Sequence, residues 1–539
     1  MAIPRPWRIL RVDLTESTVD SEPVPEEWRR RYVGGKGLGA RYLYEELDPG
    51  TDPLGPHNVL LFLLGPVSGL LPGQSRYAAV TKSPLTGGFL DSYAGGTFPE
   101  TLAGALSNHV GLLVTGAAED PVRLTVAEDD ATIEPAETWG EDTVETAREF
   151  PDAAVACVGP AGEHRVAYAT IASDAGEHHA GRGGAGAVMG AKRLKTVVVR
   201  GDPPTGLADL RERYEERYRD GDTGRWLASS GTVETVDFAD AVGALSTRGW
   251  ERTSFDGADD VGIDAVRAAA DEREREAGQP RGFRVETEDG ETIPRGATAM
   301  SLGAGLDIDE FDAVAALGDT CNRLGLDLIS AGSAVAWAIR ASDRGLIDRR
   351  IEFGDPDGAR TLLTEIASRA TPLGDALAEG VDAAADRFGG QDLVPTVKAM
   401  ALPAYDPRGA ASMALAYATS DRGACHRRAR TVEREVFDGG WEPDRAARAV
   451  ADEQAQRSVL WSLVVDDFVG DVFDDLGEPW LEAVGLETDG DLETVGDRIW
   501  TLTRLFNVRE GVSRADDELP PVLREAPDGP GDGIERDRV

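Results

Sequence analysis

The sequence contains few cysteines, and they are far apart. Cys157, Cys321 and Cys425 are the only three, and no C-x-x-C pair occurs. A four-iron cluster is normally held by four thiolates, most of them closely spaced, and a structural zinc site needs similar local pairing. The cysteines therefore exclude an iron–sulfur cluster held by this chain alone. Cys157, in an apolar run, and Cys321, on a predicted helix, are expected to be packed side chains.

Lysine is almost absent, whereas acidic residues are abundant. Lysine and arginine together number 56, aspartate and glutamate number 97, and the formal charge is −41. The lysines are Lys36, Lys82, Lys192, Lys195 and Lys398. Because the acidic residues are spread through every segment, they predict a halophilic surface, where about 1 M salt screens charges within about 3 Å. An ordinary acidic protein is the alternative. Either surface argues against nucleic acid as a partner, because phosphate contact needs basic groups.

No long hydrophobic run is present. A membrane-spanning helix needs about 18 or more apolar residues in a row, and the longest run here, around Val59–Leu64, has the length of a buried strand. The N-terminal segment MAIPRPWRILRVDL has no hydrophobic signal core. The sequence therefore predicts a cytoplasmic protein with no membrane partner.

The pattern along the chain predicts an α+β protein with three domains. Residues 1–205 hold short apolar runs broken by Gly and Pro, such as NVLLFLLGP, YAAVTKSP and VGLLVTG, which predict strands. The polar stretch 202–220 is the predicted boundary. Residues 206–400 show apolar residues at helical spacing, although 271–291 lacks periodicity and predicts an exposed loop. Residues 401–539 are again mainly helical and end in an acidic tail that is expected to be loose.

Glycine is concentrated in five segments. They are GGKGLGA from Gly34, GPVSGLLPGQSRY from Gly65, SPLTGGFLDSYAGG from Ser83, AGRGGAGAVMGAK from Ala180 and DPRGAASMALAYATSDRGACHRR from Asp406. Each one alone is compatible with a turn, but together they indicate a large ligand with phosphates, because glycine lets the backbone approach an anion. No P-loop is present. Gly181–Gly186 matches G-x-G-x-x-G, but the segment after it is too short for the helix of a dinucleotide-binding unit.

Long segments of the chain resemble the aldehyde ferredoxin oxidoreductases, a family built around a tungsten (or molybdenum) bis-pterin cofactor. The matching segments include YVGGKGLGARYLYEEL, SRYAAVTKSPLTGG, GRGGAGAVMGAKRLKTVVVRG, CNRLGLDLISAG, ALPAYDPRGAASMALAYATS and LFNVREG. The resemblance covers nearly the whole chain. It implies a β-rich N-terminal domain that forms a base for the cofactor and two mainly α-helical domains that enclose a bis-pterin site.

The resemblance also implies site residues. The positions that match cofactor contacts are Arg76, Tyr93, Gly95, Gly96, Arg182, Gly183, Asn322, Leu326, Asp327, Arg422 and Arg428. The backbones of Tyr93, where relatives usually have Asn, and of Gly183 match positions near a magnesium ion that joins the pterins. His426 is the one histidine expected near the metal, where an imidazole can donate a hydrogen bond or carry a proton.

The chain departs from the family at the iron–sulfur cluster. Relatives hold a four-iron cluster with C-x-x-C-x-x-x-C, but the corresponding Gly278–Arg284 contains no cysteine. The late motif D-x-x-G-L-C of relatives aligns with WSLVVD, so that Trp461 replaces the acid, Val464 the glycine and Asp466 the cysteine. The 4Fe–4S cluster is therefore predicted to be absent.

A second departure removes a carboxylate. Relatives often carry P-E-Y-E-T, whose second glutamate lies near the metal, and this chain has PRGAT at Pro294–Thr298, with Ala297 in place of that glutamate. A positioned acid or base typically contributes about 10²–10⁴-fold to such a step. The loss weakens the case for aldehyde oxidation coupled to ferredoxin.

Two functions stay open at this point. The first is an oxidoreductase that converts a small-molecule aldehyde to a carboxylic acid and passes electrons to an unknown redox partner protein. The second is a non-catalytic relative that binds the cofactor, or acts as a partner subunit, without redox turnover. The family resemblance also makes a homodimer possible. The metal content and the redox activity with an artificial acceptor distinguish the two functions.

Overall fold

The computed structural model describes residues 7–276 and 279–524. Their contacts define two compact units. Unit 1 comprises residues 1–225 and 454–512, and unit 2 comprises residues 226–453 and 513–539. The three-domain division stays a prediction, and the acidic tail from residue 525 onward lies outside the described residues.

The strands follow one another as β1 (Arg8–Asp13), β2 (Thr18–Pro23), β3 (Leu60–Leu63), β4 (Tyr77–Lys82), β5 (Phe89–Ala94), β6 (His109–Thr115), β7 (Val122–Ala127), β8 (Asp130–Pro135), β9 (Ala154–Cys157), β10 (Ile171–Ser173), β11 (His178–Ala180), β12 (Leu194–Val199), β13 (Glu272–Glu276), β14 (Gln279–Thr287), β15 (Gly290–Thr292), β16 (Thr396–Val397) and β17 (Met400–Ala401).

The helices follow one another as α1 (Glu26–Tyr32), α2 (Gly35–Glu46), α3 (Thr97–Ala105), α4 (Thr143–Arg148), α5 (Pro160–Glu163), α6 (Ala185–Ala191), α7 (Ala208–Asp220), α8 (Asp222–Ser230), α9 (Thr235–Ala241), α10 (Ala258–Val261), α11 (Ile263–Ala269), α12 (Gly296–Thr298), α13 (Phe311–Leu324), α14 (Leu328–Asp343), α15 (Pro356–Ser368), α16 (Pro372–Ala378), α17 (Val381–Phe388), α18 (Ala411–Thr419), α19 (Val432–Phe437), α20 (Pro443–Leu463), α21 (Glu478–Ala483) and α22 (Leu492–Arg509). None of these described helices is long and apolar enough to cross a membrane.

Unit 1 is built on two six-stranded sheets. The first has the order β2-β1-β6-β3-β4-β5 and the second has the order β11-β10-β9-β12-β7-β8. Each sheet contains one parallel pair, β1 with β6 and β7 with β12, and its other pairs are antiparallel. Their apolar side chains join in one core, and it includes Leu10, Phe62, Leu112, Leu124, Ala156 and Val197.

The strands predicted in unit 1 are confirmed. β3, β4, β9 and β12 are buried at every position, as expected for strands covered on both faces. Cys157 lies at the end of β9 and is 2% exposed, so it is the packed residue that the sequence predicted. The polar stretch 202–220 contains a helix, α7, because Leu210, Tyr214 and Tyr218 recur at four-residue spacing and are buried.

Unit 2 is mainly helical, as predicted. Helices α13 and α14 contain the segments FDAVAALGDTCNRL and SAVAWAIRAS, whose apolar spacing predicted helices. The prediction of an exposed loop over residues 271–291 is wrong, because the described residues of this segment form the antiparallel sheet β13-β14-β15. Phe283 and Val285 alternate with polar residues and are buried, and Phe283 packs with Val233, Ile263 and Val266.

Candidate functional site

One end of the β4–β5 hairpin carries the first predicted cofactor positions. Arg76 immediately precedes β4, and the strand register pairs Tyr77 with Ala94. Arg76 therefore lies at the same end of the hairpin as Gly95 and Gly96, which follow β5. Sequence-distant positions thus come together because two neighbouring strands start and end at the same edge.

A second chain segment runs beside β5. A Cβ atom placed on Gly96 would lie 2.8 Å from the ring of His178, and one placed on Gly183 would lie 2.4 Å from Leu90. The segment from β11 to Gly183 is therefore antiparallel to β5, and it carries Arg182, which is 7% exposed. The structure thus brings Arg182 and Gly183 alongside the strand that ends at Gly95.

The glycines at this edge are required by packing within the protein. Gly96 and Gly183 both have φ of 88°, a left-handed conformation that favours glycine. The Ser173 hydroxyl donates to the carbonyl of Gly95 at 3.1 Å, and the Ser83 hydroxyl donates to the carbonyl of Gly183 at 2.7 Å. Their contact with a cofactor or a magnesium ion stays a prediction.

Arg76 forms a buried ion pair with Asp466. Its Nη2 lies 3.4 Å from Asp466 Oδ2, and the two side chains are 11% and 0% exposed. The other carboxylate oxygen, Oδ1, accepts the backbone N–H groups of Phe468 and Val469 at 2.9 Å and 3.4 Å. Within the described part of the chain, the buried Nε of Arg76 has no hydrogen-bond partner.

Tyr93 belongs to a buried network that the sequence did not reveal. Its ring stacks on Trp461 with centroids 4.1 Å apart, and its hydroxyl donates to Asp91 Oδ2 at 2.7 Å. The Nζ of Lys36 lies 3.7 Å from the same oxygen and 5.3 Å from the centroid of Phe89. No local sequence pattern indicates this network, because its members come from α2, β5 and the end of α20.

Between Trp461 and Asp466, the backbone has a positive φ at the position where relatives have glycine. Val464, at the position of that glycine, has φ of 61°, which is rare for a β-branched residue. This conformation agrees with the alignment of WSLVVD to the late motif of the family.

In unit 2, the predicted pterin motif lies at the junction of α13 and α14. Asn322 is in the last turn of α13, and Leu326 is 2% exposed. Asp327 is the N-cap of α14, where its carboxylate accepts from the backbone N–H groups of Ile329 and Ser330 at 3.3 Å and 3.2 Å. The structure thus assigns Asp327 a capping role, and its contact with a pterin stays a prediction.

The segment after α18 carries the remaining predicted positions. Arg422 is 6% exposed and donates from Nη2 to Cys425 Sγ at 2.9 Å, and Arg428 is 1% exposed and lies 3.1 Å from Asp421. His426 is half-buried, with its ring centroid 5.7 Å from that of Tyr405. Buried guanidinium groups therefore flank the candidate proton carrier.

The cysteine positions do not fit an iron–sulfur cluster. Cys157, Cys321 and Cys425 are free and buried, and they lie in β9, in α13 and after α18. Burial raises the pKa of Cys157 to about 12, which opposes the thiolate form that binds iron. Gly278 lies outside the described residues, and Gln279 to Arg284 belong to β14. Across residues 7–276 and 279–524, no group of three or more His, Cys, Asp or Glu side chains is placed to hold a metal ion.

Each unit by itself contains arginine donors that fit an anionic group. In unit 1 these are Arg182, which is buried, and Arg76, whose side chain is 11% exposed; in unit 2 they are the buried Arg422 and Arg428. Arginine presents a planar fork of donors that matches a phosphate. The unsatisfied Nε of Arg76 is a buried donor of the kind that a bound phosphate would complete.

Ala297 occupies the position of the glutamate that relatives often carry. Ala297 lies in α12, a three-residue helix, and is half-exposed. Its side chain has no group that takes up a proton, so the structure offers no replacement for a carboxylate at this position.

Family comparisons cover almost the whole chain. The family model described as the N-terminal domain of aldehyde ferredoxin oxidoreductase matches residues 9–201, and the model of domains 2 and 3 matches residues 209–538. A tungsten-containing aldehyde ferredoxin oxidoreductase of Pyrococcus abyssi is 32% identical over 569 residues, which cover 98% of this chain and 93% of that protein. The WOR-like subunit of an aliphatic sulfonate oxidoreductase of Pyrococcus furiosus is 25% identical, over 98% of this chain and 90% of that protein.

A solved structure confirms the α+β fold. The active-site complex BamBC of benzoyl coenzyme A reductase, in complex with 1,5-dienoyl-CoA, matches with a TM-score of 0.82. The match covers 96% of this chain and 91% of that chain at 23% identity, and it concerns the fold alone. Both halves of the sequence match their family models, in order and nearly end to end. The chain therefore belongs to the aldehyde ferredoxin oxidoreductase family.

Proposed function

We propose that this chain is an oxidoreductase that binds a tungsten (or molybdenum) bis-pterin cofactor and converts an aldehyde to a carboxylic acid. It acts in the cytoplasm without a 4Fe–4S cluster and passes electrons to a separate redox protein. A magnesium ion between the pterins and a homodimeric state are parts of the same proposal. Support comes from family membership and from relatives named tungsten-containing aldehyde ferredoxin oxidoreductase.

The observation that carries the proposal is the match of the two family models to residues 9–201 and 209–538, and the contacts of Arg76 are compatible with it. The predicted cofactor residue Arg76 pairs with Asp466 through Nη2, and its Nε is a buried donor with no hydrogen-bond partner among the described residues. Leaving a buried donor unsatisfied costs about 1–3 kcal/mol. A bound anionic group would supply an acceptor for this donor.

The residues of the chain account for binding and proton transfer. Oxidation of an aldehyde with water yields a carboxylic acid, a pair of protons and a pair of electrons, and the metal–pterin group supplies the electron acceptor when it is bound. Arg76 and Arg182 bind phosphate, and His426 takes up a proton. Burial raises the pKa of the neighbouring Tyr405, so its phenol stays neutral beside the imidazole. With Ala297 in place of the family glutamate, His426 is the proposed proton carrier.

The test is an elemental analysis of protein purified from its native host in high salt. We expect about one tungsten or molybdenum atom per chain and no iron, together with aldehyde-dependent reduction of an artificial acceptor. The dye removes the need for the natural redox partner. Folded protein without tungsten or molybdenum would overturn the proposal and favour a relative without redox turnover.

A further inference from the structure

Three positions at which this chain departs from its family take part in two contacts within unit 1. Asp466, in place of a cluster cysteine, pairs with Arg76. Trp461, in place of an acid, stacks on Tyr93, which itself stands where relatives usually have Asn. The replacements therefore contact one another or a predicted cofactor residue.

The Asp466 carboxylate is fully engaged by the protein. Oδ1 accepts two backbone N–H groups, from Phe468 and Val469, and Oδ2 faces the Arg76 guanidinium. These partners are all donors, so they orient the carboxylate through both of its oxygens. It has no role as an iron ligand in this arrangement, because its oxygens are already used and iron–sulfur clusters are held by thiolates.

The ion pair fixes the orientation of Arg76. The Asp466 side chain is 0% exposed and that of Arg76 is 11% exposed, so the carboxylate has no solvent as a substitute partner and the guanidinium has little. Removing one member of a buried pair leaves the other charge uncompensated. The contact uses Nη2 of Arg76 and leaves its buried Nε available to another acceptor.

We propose that Asp466 is a positioning residue that occupies the place of the cluster and holds the Arg76 guanidinium for a phosphate of the cofactor. The inference rests on the proposed function, because it needs a bound cofactor. Trp461 and Tyr93, the other two departures, form a stacked aromatic pair in the same unit. The chain thus keeps an ordered cofactor-facing arginine without any iron.

The test compares Asp466→Asn with Asp467→Asn in protein purified with its cofactor. Asp467 is the matched control, because it is 4% exposed and its buried pair, 3.1 Å long, is with Arg457 instead of Arg76. Asp466→Asn is expected to weaken metal retention about 10- to 100-fold, as loss of a supporting partner does in other metal sites. The readouts are tungsten and molybdenum per chain, and the rate of their release on dilution. The melting temperature records any structural loss in each variant.

The outcomes separate this inference from the proposed function. Wild-type protein that holds metal, with equal retention in Asp466→Asn, would overturn the inference alone, as would equal loss in Asp467→Asn. Wild-type protein without metal would overturn both. If Asp466→Asn does not fold, Asp466→Cys restores the side chain of relatives, and it is expected to lose the metal and to gain no iron. Iron in that variant would contradict the inference.

Discussion

At the scale of single residues, the lysines are the most informative. All five lysine side chains are buried, and the four that form ion pairs are between 0% and 6% exposed. Each lysine contacts a carboxylate or a set of carbonyl oxygens. Lys192 donates to the carbonyls of Asn58 and Gly116 at 2.5 Å and 3.0 Å. Lysine persists only in the interior, so the cations of the protein surface are arginines.

This burial predicts the reactivity of the protein with an amine-directed acylating reagent. In high salt at about pH 8, none of the five lysines of the native protein is expected to react. Burial lowers the pKa of Lys192 to about 7, so its amine is neutral and nucleophilic, and only its enclosure protects it. Mass spectrometry of digested native protein checks this, with denatured protein, in which every lysine reacts, as the control. Rapid acylation of Lys82 or Lys398 in the native state would contradict it.

The sequence predicted what the cysteines exclude but not what replaced them. Counting Cys157, Cys321 and Cys425 is enough to exclude a cluster. The partner of Asp466 was hidden, because Arg76 is 390 residues away and no local pattern joins them. Pairings of this kind depend on the fold, and a single sequence shows them only through unusual residue choices.

At the scale of elements, the β13–β15 sheet shows how charge conceals a strand. Its sequence is dominated by Glu, Arg and Asp, which are typical of loops. Among the side chains of this sheet that the structure describes, Phe283 and Val285 are the buried apolar ones, and Ile293 follows directly after β15. Their two-residue alternation is short. The core strands and the long helices of unit 2 were predictable because their apolar runs are continuous or strongly periodic.

The glycines of the GGKGLGA segment allow close packing of a helix. It forms the first turns of α2, where a Cβ atom on Gly39 would lie 2.7 Å from Val80 in β4 and one on Gly37 would lie 2.2 Å from the carbonyl oxygen of Tyr32. Glycine at these positions lets the helix approach the strand. The ligand-binding interpretation of this segment is not needed to explain its glycines.

Gly39→Ala is therefore expected to destabilise unit 1, although alanine is normally better than glycine in a helix by about 1 kcal/mol. The added methyl group overlaps the side chain of Val80, and overpacking of this kind costs about 1–3 kcal/mol. Denaturant unfolding in high salt measures the change in the free energy of unfolding. The double variant Gly39→Ala/Val80→Ala removes both Cγ atoms, so the two substitutions should show a favourable coupling. Stabilisation by Gly39→Ala alone would show that the close approach is not maintained in solution.

At the scale of the whole molecule, charge sets the conditions under which this fold exists. If each of the 56 basic residues neutralised one of the 97 acidic residues, 97 − 56 leaves 41 carboxylates without a basic partner. Exposed pairs such as Arg217 with Asp474 contribute only about 0–1 kcal/mol each. Salt weakens such pairs, but it also screens the mutual repulsion of the excess carboxylates. Because the excess is large and distributed along the chain, we expect screening of the repulsion to dominate.

The melting temperature is therefore expected to rise steeply with potassium chloride between about 0.1 M and 1 M, over which the screening length falls from about 10 Å to about 3 Å. A sucrose series without added salt is the control, because sucrose stabilises by exclusion from the protein surface and does not screen charge. If repulsion governs stability, choline chloride should match potassium chloride at equal ionic strength, whereas sucrose should give a smaller rise. A melting temperature that stays level or falls with salt would show that the surface ion pairs outweigh the repulsion, and the halophilic interpretation would then be wrong.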